Sequence, residues 1–184
     1  LLTGGTRTAV RRQQTLRASV DWSHSLLTHA EAVLLRRLAV FTGGFDLEAA
    51  VAVCGDGEVQ RFQVLDQVTL LVEKSLVVAE SAAERSRYRL LETIRQYALE
   101  KLGDSGEADA VRTRHRDCYT AVAAKLDSVQ RADFRRQVQQ LEAEVDNLRT
   151  AFAWSRDNDD ASRAAELASS LQPLWQGRGL LREG

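Results

Sequence analysis

Apolar positions over the first 75 residues recur every three to four places, the period of an amphipathic helix. From Gln14, the series Leu16, Val20, Leu26 and Leu27, with Trp22 and Ser23 between, predicts a first helix ending near Thr28. Thr28 opens the next. Thr-His-Ala-Glu has the form of a capping box, in which the threonine hydroxyl accepts the N–H of Glu31 and the glutamate reaches back to the N–H of Thr28. That helix is expected to run through AVLLRRLAVF and stop at Gly43-Gly44, whose freedom at positive φ suits a helix end. Asp46 is the next predicted N-cap, opening LEAAVAVC, which Gly55-Asp56-Gly57 closes. A fourth helix is predicted from about Val59 to Lys74, with Phe62, Leu65, Val68 and Leu71/Val72 on one face.

The period then changes. Ser75 to Glu80 is short and β-branched, SAAERS is a polar turn region, and Arg87 to Leu91 alternates basic with apolar side chains, which together predict a hairpin. Tyr88 and Leu90 share one face of the second strand, whereas Leu91, Ile94, Tyr97/Ala98 and Leu102 follow at helical spacing. The strand therefore feeds directly into a helix, with Leu90 and Leu91 both expected inside. Helices, a two-stranded hairpin and a further helix are the order of a winged-helix domain, placed at residues 14–103. Residues 1–13 precede it as a linker or the end of an upstream helical domain.

Gly103 to Ala110 reads as a polar hinge. Beyond it, three amphipathic helices are predicted. The first carries Val111, His115, Cys118/Tyr119, Val122 and Leu126. The second carries Phe134, Val138, Leu141, Val145, Leu148 and Phe152. The third, after Asn158-Asp159-Asp160, carries Ala164, Leu167/Ala168, Leu171 and Leu174/Trp175. Such spacings build antiparallel helical hairpins, the unit of an α-solenoid such as a tetratricopeptide array, here over residues 107–184. The fold class is thus mainly α: a winged helix with a two-stranded wing, then helical hairpins.

Charge changes the picture mainly by exclusion. With 25 basic and 26 acidic residues in 184, the formal net charge of −1 gives the chain no overall nucleic-acid or anionic-membrane signature. Cys54 and Cys118 lie far apart, each on the apolar side of a predicted helix, which suits reduced thiols in a cytoplasmic protein. No apolar run reaches the roughly 18 residues of a membrane span, and the first residues lack the pattern of a secretion signal. The opening LLTGGTRTAVRRQQ, without an initiator methionine, reads like a cut from a longer chain.

Motifs of catalysis do not emerge. There is no Gly-x-x-x-x-Gly-Lys phosphate loop, and His24, His29 and His115 lack metal-ligand spacing with each other or with the cysteines, so no metal site is expected. Asp157, Asp159 and Asp160 lack the glycine and terminal glutamate of an EF-hand. Ser23 and His24 are sequence neighbours about 100° apart on a helix, and cannot pair as nucleophile and base. Trp22, Trp154 and Trp175 each sit near a helix end, where burial between helices is the expected role.

Four blocks carry a resemblance. RQQTLRASVDWSHSLLTHAEAVLLRRLAVFTGGFDLEAAVAVC, VLDQVTLLVEKSLVVAE, YRLLETIRQYALEKL and LEAEVDNLRTAFAW resemble the region after the nucleotide-binding core in actinobacterial signal-transduction ATPases of the STAND (NB-ARC-like) class. The resemblance implies a chain order of phosphate-loop ATPase domain, helical domain, winged helix and helical repeat sensor, often with a LuxR-type helix-turn-helix or a cyclase domain. ATP or ADP with Mg would then belong to the upstream domain, and no cofactor to this segment. Eukaryotic relatives place Met-His-Asp at the start of the helix after the wing, where the histidine holds the ADP phosphate. The residues in register here are Leu90, Leu91 and Glu92, so Leu91 occupies the histidine position and cannot donate to phosphate. Glu92 and Arg95, one turn on, are left as inter-domain contacts.

A winged helix often lays one helix in the DNA major groove, with basic residues outward. The residues available are Arg61 and Lys74 on the fourth helix, offset by Asp66 and Glu73, and Arg85 and Arg87 on the wing, offset by Glu84. Only the first twenty residues, with Arg7, Arg11, Arg12 and Arg17 and no acid, are locally basic. Because phosphate neutralisation supplies most non-specific affinity, the neutral helix favours a protein-contact and switching role over DNA reading. The expected function is a non-catalytic regulatory segment. Its winged helix packs in cis on the ATPase domain and moves about hinges near residues 1–13 and 103–110. Its repeats bind a protein or small-molecule inducer, and activation assembles a homo-oligomer. The alternative is a DNA-binding transcriptional regulator that dimerises through the helix Phe134 to Phe152.

Overall fold

Thr28 caps as its sequence predicts: Glu31 N–H donates to the threonine hydroxyl at 3.3 Å, and Thr28 N–H donates to the Glu31 carboxylate at 2.7 Å. The computed structural model in which this is seen describes the backbone of residues 4–81, 86–127, 134–158 and 160–178, and the side chains of residues 15–80, 86–125, 139, 142–158 and 160–169. The predicted positions Arg85, Leu126, Phe134, Val138, Leu141, Leu171, Leu174 and Trp175 lie outside the described side chains.

The elements run α1 (Gly4–Ser25), α2 (His29–Leu38), α3 (Leu47–Cys54), a 3-10 turn (Arg61–Gln63), α4 (Val64–Glu73), β1 (Val78–Ser81), β2 (Ser86–Arg89), α5 (Glu92–Asp104), α6 (Ala108–Asp127), α7 (Phe134–Asp157) and α8 (Ala161–Arg178). The fold is mainly helical with one two-stranded antiparallel sheet, a winged helix followed by helical hairpins.

α1 begins ten residues before the predicted start at Gln14 and passes through residues 4–13 without a break. It lies on α5: Arg17 pairs with Glu100, and the His24 ring meets Tyr97 edge-on at 5.4 Å. Its apolar stripe is only partly used. Val20 is buried, while Leu16 and Trp22 on α1, and Leu26 just beyond it, are exposed; at 67 % accessible, Trp22 does not take the buried role expected of it.

α2 ends at Leu38, three residues before the predicted Phe41, because the chain must turn there. Phe45 then pairs with Tyr88 of β2 through two main-chain hydrogen bonds of 2.8 Å, adding a third short segment to the wing. Gly44 makes this approach possible: its φ is +111°, and a Cβ would stand 3.0 Å from the Tyr88 carbonyl. Asp46 caps α3 as predicted, accepting Ala49 N–H at 2.8 Å.

The fourth helix differs from its prediction in phase. The 3-10 turn advances the chain three residues per turn before the α-helical rise begins, which takes Phe62 out of line with Val68. The buried stripe is Val64, Val68 and Leu71, at i, i+4 and i+7, and Phe62 and Leu65 face outward. α4 closes with a Schellman turn: Leu76 N–H donates to Leu71 O at 2.9 Å, and Ser75 N–H to Val72 O at 2.9 Å. Ser75 takes the left-handed position, φ 59°, usually held by glycine. The turn sends Leu76 and Val77 into the core, so β1 begins at Val78 rather than Ser75 and pairs Val78 with Arg89 and Ser81 with Ser86.

Leu90 is buried, but Leu91, expected inside with it, is the N-cap of α5 and 45 % exposed. Extended residues alternate sides, so one of two neighbours must point out at the junction. Of the predicted hinge, Gly103-Asp104 belongs to α5 and Ala108–Ala110 to α6, leaving three connecting residues. Glu107 among them is clamped by Arg36 (Nε to Oε1, 2.5 Å) and Arg37 (Nη2 to Oε2, 2.8 Å) on α2. One continuous core joins the two halves, from Leu34, Leu38, Phe41 and Phe45 to Tyr119, Ala123, Leu148 and Ala151.

Candidate functional site

α4 holds the place of the groove-reading helix, and its packing on α2 and α3 decides what it shows. With Val64, Val68 and Leu71 buried, the outward surface presents Phe62 (79 % exposed), Leu65 and Leu70 together with Thr69, Asp66 and Glu73. This surface is apolar with an acidic edge, and Arg61 at its start is exposed.

The other basic residues predicted there are largely engaged. Lys74 Nζ meets Glu31 Oε1 at 2.5 Å. Burial would raise the Glu31 carboxyl, but Lys74 and the bonds to Thr28 outweigh it and hold the group below its ordinary range. On the wing, Arg87 donates to the Glu144 carboxylate and to Ala143 O (3.1 Å), both on α7. Burial alone would lower the guanidinium's pKa, yet the Glu144 pair raises it, so the charge is fixed and internally neutralised. The structure thus does not bring Arg61, Lys74 and Arg87 together as one basic face.

The positions implied by resemblance fall at the start of α5. Leu91 presents a half-exposed isobutyl group, which cannot donate a hydrogen bond to a phosphate. Glu92 accepts two bonds from Arg95 (2.9 and 3.0 Å), which holds the Glu92 carboxyl below its ordinary range.

Sequence reasoning missed the seam between the winged helix and α6–α7. The fully buried Asn147 donates from Nδ2 to Gly44 O at 2.7 Å, and its Oδ1 accepts from Thr42 N at 2.8 Å and lies 3.3 Å from His115 Nε2. Tyr119 OH donates to Glu144 at 3.2 Å, while Arg114 reaches Val53 O at 2.8 Å and Asp56 at 3.2 Å. Burial pushes His115 down to about 4, leaving it neutral. Nothing local marked it: Asn147 sits beside Asp146 in the polar stretch Val145-Asp146-Asn147-Leu148.

Beside this seam is a groove of about 260 Å³, bounded by Val40, Arg95 and Leu99 on the winged-helix side and by Arg112, His115 and Trp154 on the other. The thiols are poor nucleophiles: burial raises Cys54 to about 12 and Cys118 to about 11. Among the described residues no cluster suits a metal ion, and no helix is long and apolar enough to cross a membrane.

Residues 27–103 match the winged helix-turn-helix domain family. The whole chain is 63 % identical to a protein of Mycobacterium tuberculosis (strain ATCC 25618 / H37Rv) named "Putative HTH-type transcriptional regulator Rv0890c", of which it spans 21 %. The same figures hold for "Putative HTH-type transcriptional regulator Mb0914c" of Mycobacterium bovis (strain ATCC BAA-935 / AF2122/97). Over 117 residues, 63 % of this chain, it is 53 % identical to "Uncharacterized protein Rv0894" of M. tuberculosis, covering 30 % of that protein. No solved structure matches the chain.

Proposed function

We propose that this chain is the winged-helix segment of a larger transcriptional regulator and works there as a non-catalytic protein-contact module. The observation that carries this reading is the outward surface of α4, where Phe62, Leu65 and Leu70 stand beside Asp66 and Glu73. An apolar and acidic helix face suits a protein surface better than phosphates. The lengths of the relatives and their printed names support a regulator with further domains. Within it, the cis partner is an upstream STAND-type ATPase domain, which would hold ATP or ADP with Mg. The helical hairpins begin a tetratricopeptide-like sensor for a protein or small-molecule inducer, in the cytoplasm.

The second reading, direct DNA binding with dimerisation through α7, draws on the helix-turn-helix family match and the basic start of α1. Fluorescence anisotropy with mixed genomic duplex at about 50 and 200 mM salt separates the two, because phosphate contacts give a steep salt dependence. The protein-contact reading expects no binding at the lower salt. Tight, salt-sensitive binding that is lost in Arg61→Ala would overturn it in favour of DNA.

A further inference from the structure

α1 rests on the winged helix without entering its core. Among the described side chains of α1, residues 15–25, Val20 alone is buried. Leu16 and Trp22 are exposed, as is Leu26 just beyond the helix. What holds α1 on α5 is instead a strap of charge around one aromatic ring. Arg17 forks to both carboxylate oxygens of Glu100, a pair in which each side chain is more than half exposed. The Arg17 guanidinium lies 6.0 Å and the Lys101 ammonium 5.3 Å from the centre of the Tyr97 ring, whose edge the His24 ring meets at 5.4 Å. Burial and the neighbouring Asp21 carboxylate push the Tyr97 phenol up to about 12, so it stays neutral beside the two cations.

The winged helix starts afresh after α1. α2 opens on its own capping box, Thr28 with Glu31, and Lys74 at the end of α4 closes on the same glutamate at 2.5 Å. The match to the winged helix-turn-helix family likewise begins at residue 27, past the end of α1. Only Leu26, Leu27 and Thr28 connect the two helices. Exposed ion pairs are weak in water and screened by salt, and a cation beside a surface ring adds modestly. A contact built of them opens far more readily than a packed core.

We propose that α1 is a detachable arm: it lifts from α5 about the connection 26–28 while residues 28–104 stay folded, and the Arg17–Glu100 pair sets how often it does so. α1 runs unbroken through its 22 residues. At 1.5 Å per residue it is a stiff rod of about 33 Å, so a displacement at its start is transmitted to Arg17 and Val20. Lifting uncovers Val20 and the Tyr97 face of α5. The arm is independent of the α4 surface and goes beyond the proposed protein contact, because it supplies a movement that charge controls.

Amide hydrogen exchange of the 184-residue chain, read residue by residue by NMR at constant pH, tests the arm. A lone helix of this length is marginal in water, so its amides exchange whenever it lifts. The expected result is exchange at residues 20–24 at least about tenfold faster than at Leu34, Leu35 and Leu38 of α2, and faster again at about 500 mM than at about 50 mM NaCl. Glu100→Arg should speed the α1 amides by about fivefold and leave those of α2 unchanged, and the double variant Arg17→Glu/Glu100→Arg should bring the rate back toward the parent's. Equal protection of α1 and α2 would make α1 part of the core and overturn the proposal. So would unchanged α1 exchange in Glu100→Arg, an increase that α2 shares equally, or a double variant no slower than the single one.

Discussion

Asn147 on α7 accepts the main-chain N–H of Thr42 at 2.8 Å, a bond spanning 105 residues of sequence between the helical hairpin and the winged helix. The same side chain holds the Gly44 carbonyl at 2.7 Å, so one fully buried amide satisfies both main-chain groups of the turn that leads into the wing. Asn147→Ala removes both partners and leaves a buried donor and acceptor unpaired. Each costs about 1–3 kcal/mol, and a total loss of roughly 2–4 kcal/mol is expected from urea unfolding. Amide exchange at Thr42 should quicken selectively. A loss below about 0.5 kcal/mol would mean that water replaces the amide at the seam.

The phase of α4 gives a paired prediction. Val68 is fully buried and Phe62 is 79 % exposed, although the sequence pattern placed both on one face. Val68→Ala should cost about 2 kcal/mol, whereas Phe62→Ser should stay within about 0.5 kcal/mol, both from denaturant midpoints at unchanged slope. The reverse order would restore the predicted phase. If the upstream domain docks on this surface, Phe62→Ser and Leu65→Ser abolish its capture while leaving the fold intact.

Local signals were legible because they are short in range. Thr28 with Glu31, and Asp46 with Ala49 N–H, announce helix starts within four residues, and the switch from period 3.6 to period 2 at Ser75 announces the wing. Phase was lost at Arg61–Gln63, since a single 3-10 turn alters register without any residue type that marks it. Exposure of Trp22 was illegible for a different reason: hydrophobicity says what burial would gain, and not whether another element arrives to provide it. The seam joins residues about a hundred positions apart, so Asn147 and Glu107 looked like ordinary polar positions. The hinge expected at 103–110 is in fact held by the Arg36 and Arg37 clamp. Motion of the winged helix would accordingly carry α6 and α7 with it.

Acid should destabilise the chain in two stages. His115 has its pKa lowered from 6.5 to about 4 by burial, so between those values the unfolded chain binds more protons and stability falls as pH falls. The window is worth up to about 3 kcal/mol at 1.36 kcal/mol per unit. Glu107 and Glu31 follow lower down. Burial would raise both, but Arg37 and Arg36 for the first, and Lys74 and Thr28 for the second, hold them below their ordinary range. Their contribution is present above the unfolded carboxylate pKa and disappears as pH falls through the depressed folded values. Urea midpoints from pH 7 down to 4 should decline smoothly, and His115→Gln should flatten that decline. A flat wild-type profile over the same range would show that the imidazole can charge without cost.

Ser75 closes α4 in a conformation that its side chain disfavours. Its φ of 59° lies in the left-handed region, where a Cβ crowds the following carbonyl at a cost of about 1–2 kcal/mol. The Schellman bonds from Ser75 to Val72 and from Leu76 to Leu71, together with the buried Leu76–Leu71 pair, over-determine the turn and hold it there. Ser75→Gly removes the crowding but frees the unfolded chain, which offsets part of the gain. The net expectation is a stabilisation of about 0.5–1 kcal/mol. Ser75→Val, whose branched side chain tolerates positive φ least, should lose more than about 1 kcal/mol. Thermal unfolding of the two variants beside the parent decides the matter. If glycine destabilises and valine is neutral, α4 does not end in the left-handed turn, and the placement of Leu76 and of the wing that follows would have to change with it.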